Sequence, residues 1–171
     1  MARKVIWIFL FLIFFFRESP VMAEGEAIFT PQESIKAYIL REVESTTSTL
    51  DLAIHDITSL DMAQALSKAK QRGVKVRIVA DSKQSKMKLS QVAYLIHQGI
   101  PVKVLGGKEQ GVMNHRFFIL DGKKVVTGSF NWTETSEKWN YENILTLSEV
   151  EAVSLYQNEF ERLWREKRMI R

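Results

Sequence analysis

Apolar positions recur along the chain in two rhythms, one of about 3.6 residues and one of about 2, which separate helices from strands. Ile35, Tyr38, Ile39 and Val43 fall on one helical face. The preceding "TPQE" carries a start signal, with Thr30 as cap, Pro31 at the first helical position and Glu33 closing a capping box. "TLDLAIHD", residues 49–56, alternates as a strand does. Ser59 opens a second helix with Met62, Ala65, Leu66 and Ala69 on one face. Lys68, Lys70 and Arg72 crowd its last turn before Gly73, where cations suit the negative end of the helix dipole. A strand over 74–81 follows, then a third helix carrying Leu89, Val92, Ala93 and Ile96, stopped by Gly99 and Pro101. "VKVLG" is a short strand. Strands at about 115–120 and 124–129 flank Asp121-Gly122, a hairpin turn pair. "ENILTL", 142–147, is a further strand. Ser148 and Glu151 box the start of a last helix whose buried stripe is Val153, Tyr156, Phe160, Leu163 and Trp164.

Helices alternate with strands first and a hairpin comes later. That order predicts an α/β fold, a mixed β-sheet flanked by helices as an α-β-α sandwich, in a single domain. The first 23 residues stand apart from it. Arg3 and Lys4 precede an unbroken apolar run of 12, Val5 to Phe16, and Val21-Met22-Ala23 offers the small residues of a signal-peptidase site. The expectation is a signal peptide over 1–23, cleaved after Ala23, and a domain over 24–171. An uncleaved N-terminal anchor is the alternative, although 12 residues rise only about 18 Å as a helix against a hydrocarbon core of roughly 30 Å. Cleavage implies an exported protein, periplasmic or secreted from a bacterial envelope, with no stable membrane span.

Composition narrows the chemistry. Of the 171 residues 46% are hydrophobic, enough for a core. Removing Arg3, Lys4, Arg17 and Glu18 lowers the formal net charge from +4 to +2, too weak a balance to argue for nucleic acid by itself. The absence of cysteine rules out disulfides, thiolate catalysis and Cys-based metal sites. His55, His97 and His115 lie far apart and in no metal-binding spacing, so no metal or cofactor is expected.

One stretch carries chemistry: "MNHRFFILDGKKVVTGSFNWT", Met113 to Thr133. In it Asn114, Arg116, Asp121, Gly128-Ser129 and Asn131 follow one another with one, four, six and one residues between. A phosphodiester is an anion that repels nucleophiles, so a site for it needs cations and donors aimed at the phosphoryl oxygens. On a strand, residues 114 and 116 project to one face. Arg116 can clamp a phosphate with its planar fork, while Ser129 and Asn131 can donate from the return strand. Asp121, at the turn, reads as structural. The Asn114 amide has no basic nitrogen lone pair and cannot serve as nucleophile or proton shuttle. His115 points to the opposite face of a regular strand, where it reads as a packed histidine. A bulge that re-aimed it would make it a displaced nucleophile.

This spacing resembles the signature H-x-K-x4-D-x6-G-S-x-N of the phospholipase D superfamily, with Asn114 in place of His and Arg116 in place of Lys. "LDLAIHDITS", "AKQRGVKVRIVAD" and "GSFNWT" also resemble its single-motif bacterial endonucleases. The resemblance implies a phospholipase D-like fold over nearly the whole domain. It also implies metal-free chemistry, in which the motif histidine forms a covalent phosphohistidine. A second histidine, supplied in single-motif members by the other subunit of a homodimer, protonates the leaving oxygen. A downstream glutamate, matched by Glu142, orients the first histidine. The implied function is a phosphodiester hydrolase of the nuclease type acting on nucleic acid, with its nucleophile missing at Asn114. Two alternatives stay open: a silent relative that binds nucleic acid or another phosphate polyanion, and a phospholipase D acting on lipid headgroups. The lipid enzymes usually carry two motifs in one chain.

Flanking residues have two readings each. Lys83, Lys86 and Lys88 follow a strand, where α/β sheets bind ligands, and could track a phosphate backbone; a solvated loop is the simpler reading. Trp132 and Trp139 could stack on bases, worth roughly 1–3 kcal/mol each, or belong to the core or a dimer interface.

Overall fold

In a computed structural model, residues 25–167 are described, so the expected signal peptide lies outside them. A crossover block comes first, with β2 (Thr49–Ile54), α2 (Leu60–Gln71), β3 (Lys75–Asp81), α3 (Val92–His97) and β4 (Val102–Leu105). It is preceded by β1 (Ala27–Phe29) and α1 (Ile35–Ser45). A hairpin of β5 (Arg116–Leu120) and β6 (Lys124–Gly128) follows, then α4 (Glu134–Lys138), β7 (Asn143–Leu147) and α5 (Val150–Arg165). All seven strands share one sheet in the order β1-β7-β6-β5-β2-β3-β4. The pairs β2/β3 and β3/β4 are parallel and the others antiparallel, the mixed sheet expected.

Each face of the sheet is covered. Leu50, Leu52, Ile54, Ile78, Phe118 and Val126 pack under α1, α2 and α3. Ala53, Val79, Phe117, Ile119 and Val125 meet Val153, Phe160 and Leu163 of α5. The alternation along β5 thus sends Phe117 one way and Phe118 the other, as strand geometry requires. Beneath α5 lies one polar cluster. Asp51 accepts two bonds from Arg77, at 2.8 and 2.7 Å, and one from Gln157 at 3.0 Å, while Arg77 also reaches Glu161 at 2.7 Å. Among the described residues no helix is long and apolar enough to cross a membrane.

Topology sets the position of the site. β5 runs antiparallel to β2, and β6 and β7 alternate in turn, so one edge of the sheet gathers the strand ends that surround the motif. These are the carboxyl ends of β2, β3 and β6 and the amino ends of β5 and β7. Ligands of open α/β sheets gather at such strand ends.

Several expected element ends differ. Ser34, not Thr30, caps α1, accepting from Ala37 N at 3.0 Å. Thr30 is used elsewhere, because β1 pairs with β7 through Phe29 and carries it to Asn140 and Glu142. Pro31 and Glu33 belong to the turn before the helix. α3 begins at Val92, and Leu89 and Ile96 are 70% and 52% exposed, since residues 84–86 are taken up in a 3-10 turn fastened to Asp81. The box at Ser148 and Glu151 does not form; Glu149 holds the N-cap position of α5 without a side-chain bond. β1 and α4, of 3 and 5 residues, escape prediction because neither is long enough to show a period.

Candidate phosphodiester site

The loop ahead of β5 is fixed before it reaches the motif. Asp81, fully buried at the end of β3, accepts from Met113 N at 2.8 Å. His55 Nδ1, just past β2, donates to Met113 O at 3.2 Å. With both backbone groups of Met113 held, the next residue is presented at the strand edge. Asn114 lies there outside the strand, exposed, and its side chain has no hydrogen-bond partner among the described residues.

Arg116 opens β5. Its Nε donates to Asn131 Oδ1 at 2.9 Å and its Nη1 to the Asn114 carbonyl at 3.3 Å. Among the described residues no carboxylate forms an ion pair with it, and its Nη2 hydrogens have no protein acceptor. Asp56 N also donates to Asn131 Oδ1, at 3.3 Å. Two donors on one oxygen fix which way the Asn131 amide faces, so Nδ2 is the end left free to donate.

Gly128 closes β6 against β7 so tightly that a Cβ there would lie 2.1 Å from Asn143 O. Only glycine fits that approach, and the approach brings Ser129 onto Glu142. Ser129 donates to Glu142 Oε2 and accepts from Asn143 N at 3.1 Å. Glu142, 9% exposed, also accepts from Asn140 Nδ2 at 2.9 Å, and its own N–H donates to Thr30 Oγ1 at 2.8 Å. In this arrangement the one hydroxyl proton of Ser129 goes to a carboxylate. Glu142 sits just before β7 and acts on Ser129 in this arrangement.

Asp121 is surrounded by donors from the start of β2. Burial disfavours its charge, but the N–H groups of Ser48, Thr49 and Thr47 and the hydroxyls of Ser48 and Thr47 hold its carboxyl well below the usual range. It ties the β5–β6 turn, where Asp121 and Gly122 both have positive φ, to the start of β2.

His115 stands on the far side. Its ring meets Phe117 edge-on at 5.4 Å, and Nε2 donates to Glu159 of α5 at 3.1 Å. Arg116 faces the other way, so the two side chains do not share a pocket. His115 and Asn114 line a cleft of about 410 Å³ beside α5, whereas Asn131 lines another of about 580 Å³ with Asp56, Thr58, Gln84, Lys88 and Ser136. His115 is on the opposite face as expected, but its side chain is 45% exposed and not enclosed.

The remaining candidates divide. Lys83 donates to Gln110 O at 2.6 Å and so is occupied in holding a loop, while Lys88 reaches the Asn131 cleft. Lys86 ends the 3-10 turn. Trp132 is core, 1% exposed against Phe118, and Trp139 is 81% exposed on the rim. Sequence reading missed Asp56, Asp81 and Thr30. The signal for the two carboxylates was place, since Asp81 ends β3 and Asp56 follows β2 at the edge where the motif arrives.

The fold and the ordered motif define a phosphodiesterase-type α/β sandwich. Residues 39–164 match the family described as "Cardiolipin synthase, PLD-like domain", and the chain belongs to this phospholipase D-like family. It is 36% identical to mitochondrial cardiolipin hydrolase of Mus musculus over 134 residues, covering 78% of this chain and 60% of that protein. The Homo sapiens protein of the same name is 36% identical over 132 residues, 77% of this chain and 52% of that one. This chain thus spans little more than half of those relatives. Among solved structures, Nuc from Salmonella typhimurium, a phospholipase D family member, superimposes with a TM-score of 0.77 at 26% identity. That match covers 86% of this chain and 97% of Nuc. NucT from Helicobacter pylori gives 0.74 at 27%, covering 82% and 95%.

Proposed function

We propose that this domain binds the phosphodiester backbone of nucleic acid at Arg116 and Asn131, as a nuclease-type site from which the phosphohistidine route is missing. One observation carries the reading: the Arg116 guanidinium is aimed by an amide and a backbone carbonyl, and among the described residues no carboxylate forms an ion pair with it. A cation held in this way has charge left for an anion. Asn114 can hydrogen-bond a phosphate but cannot attack it, and His115 is turned to α5. Ser129 and Glu142 support the cradle from β6 and β7, and Lys88 extends it. We read the chain as exported on the strength of residues 1–23. We read it as a homodimer whose copies meet at the motif edge, where Trp139 and Tyr141 stand 81% and 88% exposed.

The test pairs the parent with Asn114→His, in chelator, on single-stranded and plasmid DNA. The parent should retard DNA, with affinity falling steeply as salt rises, and cleave it slowly or not at all. Asn114→His should cleave. Equal cleavage by parent and variant would refute the missing-nucleophile reading. A lipid phosphodiester is the second reading, favoured by the 36% identity to proteins named cardiolipin hydrolase. Cleavage of cardiolipin vesicles by Asn114→His, with DNA untouched, would establish it instead.

A further inference from the structure

The Asp56 carboxyl sits where a phosphate site should not tolerate an anion. Its backbone N–H donates to the same Asn131 oxygen that Arg116 holds, and Asp56 lines the 580 Å³ cleft with Asn131. One of its oxygens, Oδ1, is buried with no hydrogen-bond partner among the described residues. An ionised carboxylate left with a dry, unpartnered oxygen is costly, while a neutral carboxyl carries a proton it can donate.

We propose that Asp56 is a further residue of the phosphate site, entering it as the neutral acid and giving its O–H as a hydrogen bond to a phosphoryl oxygen held by Arg116 and Asn131. Ionised, the same group repels that oxygen. Phosphodiester binding and Asp56 protonation are therefore linked, each favouring the other. The proposal rests on the reading of Arg116 and Asn131 as the phosphate cradle.

The surroundings agree. Burial pushes the Asp56 carboxyl above its ordinary range, against the opposing pull of His55, the Ile57 N–H and Arg116, and Asp81 adds to the push. His55 adjoins it past β2, Arg116 faces it from β5 and Asp81 from the end of β3. Lys88 shares the cleft from the segment before α3. From the side of α4 come Thr133, Thr135 and Ser136, which are uncharged, and Asn140, whose amide is bonded to Glu142. His55 is a second ionisable side chain beside the site, so a pH dependence alone does not identify Asp56.

The experiment is calorimetric titration of oligothymidylate, whose diester charge is constant over the range, into the full chain at about pH 5 and about pH 8. Variants Asp56→Asn, His55→Gln and Arg116→Ala run alongside. The parent should lose on the order of tenfold in affinity across that range. Asp56→Asn keeps a donor without a charge, so it should lose most of the slope and bind more tightly than the parent at the higher pH. A second readout needs no variant: the Asp56 carboxyl, followed by carbon NMR, should titrate at higher pH with the oligonucleotide bound. If Asp56→Asn keeps the parent's slope, or the slope disappears only in His55→Gln, or the bound carboxyl titrates no higher, the proposal falls. Loss of binding in Arg116→Ala beside any of those results leaves the cradle standing. Arg116→Ala binding as the parent does, or no binding by the parent at the lower pH, overturns both.

Discussion

Arg77 and Arg116 lie on strands of one sheet, and each donates from Nε to a side-chain oxygen at 2.8–2.9 Å. Their surroundings differ in kind. Arg77 bridges Asp51 and Glu161 and lies 5.0 and 5.3 Å from the ring centres of Phe160 and Trp164. Bonds to Asp51 hold its charge in place against burial. Two carboxylates and two aromatic faces leave that guanidinium nothing to offer an outside anion. Arg116 is aimed equally well, but by neutral groups. Aim without neutralisation is what separates a binding arginine from a structural one.

Truncating each arginine turns that contrast into numbers. Arg77→Ala should cost about 3 kcal/mol in urea unfolding, because Asp51, 5% exposed, would keep only Gln157 as a partner. Oligothymidylate affinity should hardly change. Arg116→Ala should do the reverse, losing tenfold to a hundredfold in affinity, about 1.4–2.7 kcal/mol, while stability moves by less than about 1 kcal/mol. Exchanged outcomes would mean that the two roles have been assigned the wrong way round.

The contrast was only half legible in the sequence. Hydrophobic rhythm gave the strands that bury one or both faces, and the β-α-β order with a later hairpin gave the mixed sheet. Motif spacing then brought Arg116 and Asn131 together, because a hairpin returns to the edge it left. Which carboxylate meets which arginine was not legible. Asp51 pairs with Arg77 across 26 positions, and Asp56 meets Asn131 across 75. Such partners are set by strand order and leave no local pattern. The commitment of the Ser129 proton to Glu142 was hidden for the same reason, and the start of α1 because the pairing of β1 with β7 draws Thr30 away to Asn140 and Glu142. The place of Asn114 depended on how Asp81 and His55 seize Met113.

Asp121 sharpens the comparison from the anionic side, since it is a motif carboxylate saturated by donors as Arg77 is by acceptors. Asp121→Asn should cost about 1–2 kcal/mol, measured by urea unfolding near neutral pH. Its folded carboxyl lies below the unfolded value of roughly 3.9, so its stabilisation is fully present above that value and is lost as pH falls below it. The gap between parent and variant should therefore narrow from about pH 5 downward. A gap that stayed constant would show that the charge is not what ties the turn to Thr47, Ser48 and Thr49.

The smallest effect belongs to His115, and its smallness matters. Glu159 keeps Arg162 at 2.7 Å on both oxygens whether or not the imidazole is present. The His115 side chain is 45% exposed, so removing its bond releases no buried charge. His115→Gln should change stability by less than about 0.5 kcal/mol and leave oligothymidylate affinity within about twofold. In the Asn114→His background it should leave cleavage intact, because the attacking imidazole is then the one at 114, whereas that of His115 is bonded to Glu159. If His115→Gln abolished that cleavage, the chemistry would have to run on the face of the sheet away from Arg116, and the guanidinium would lose its claim to the reacting phosphate.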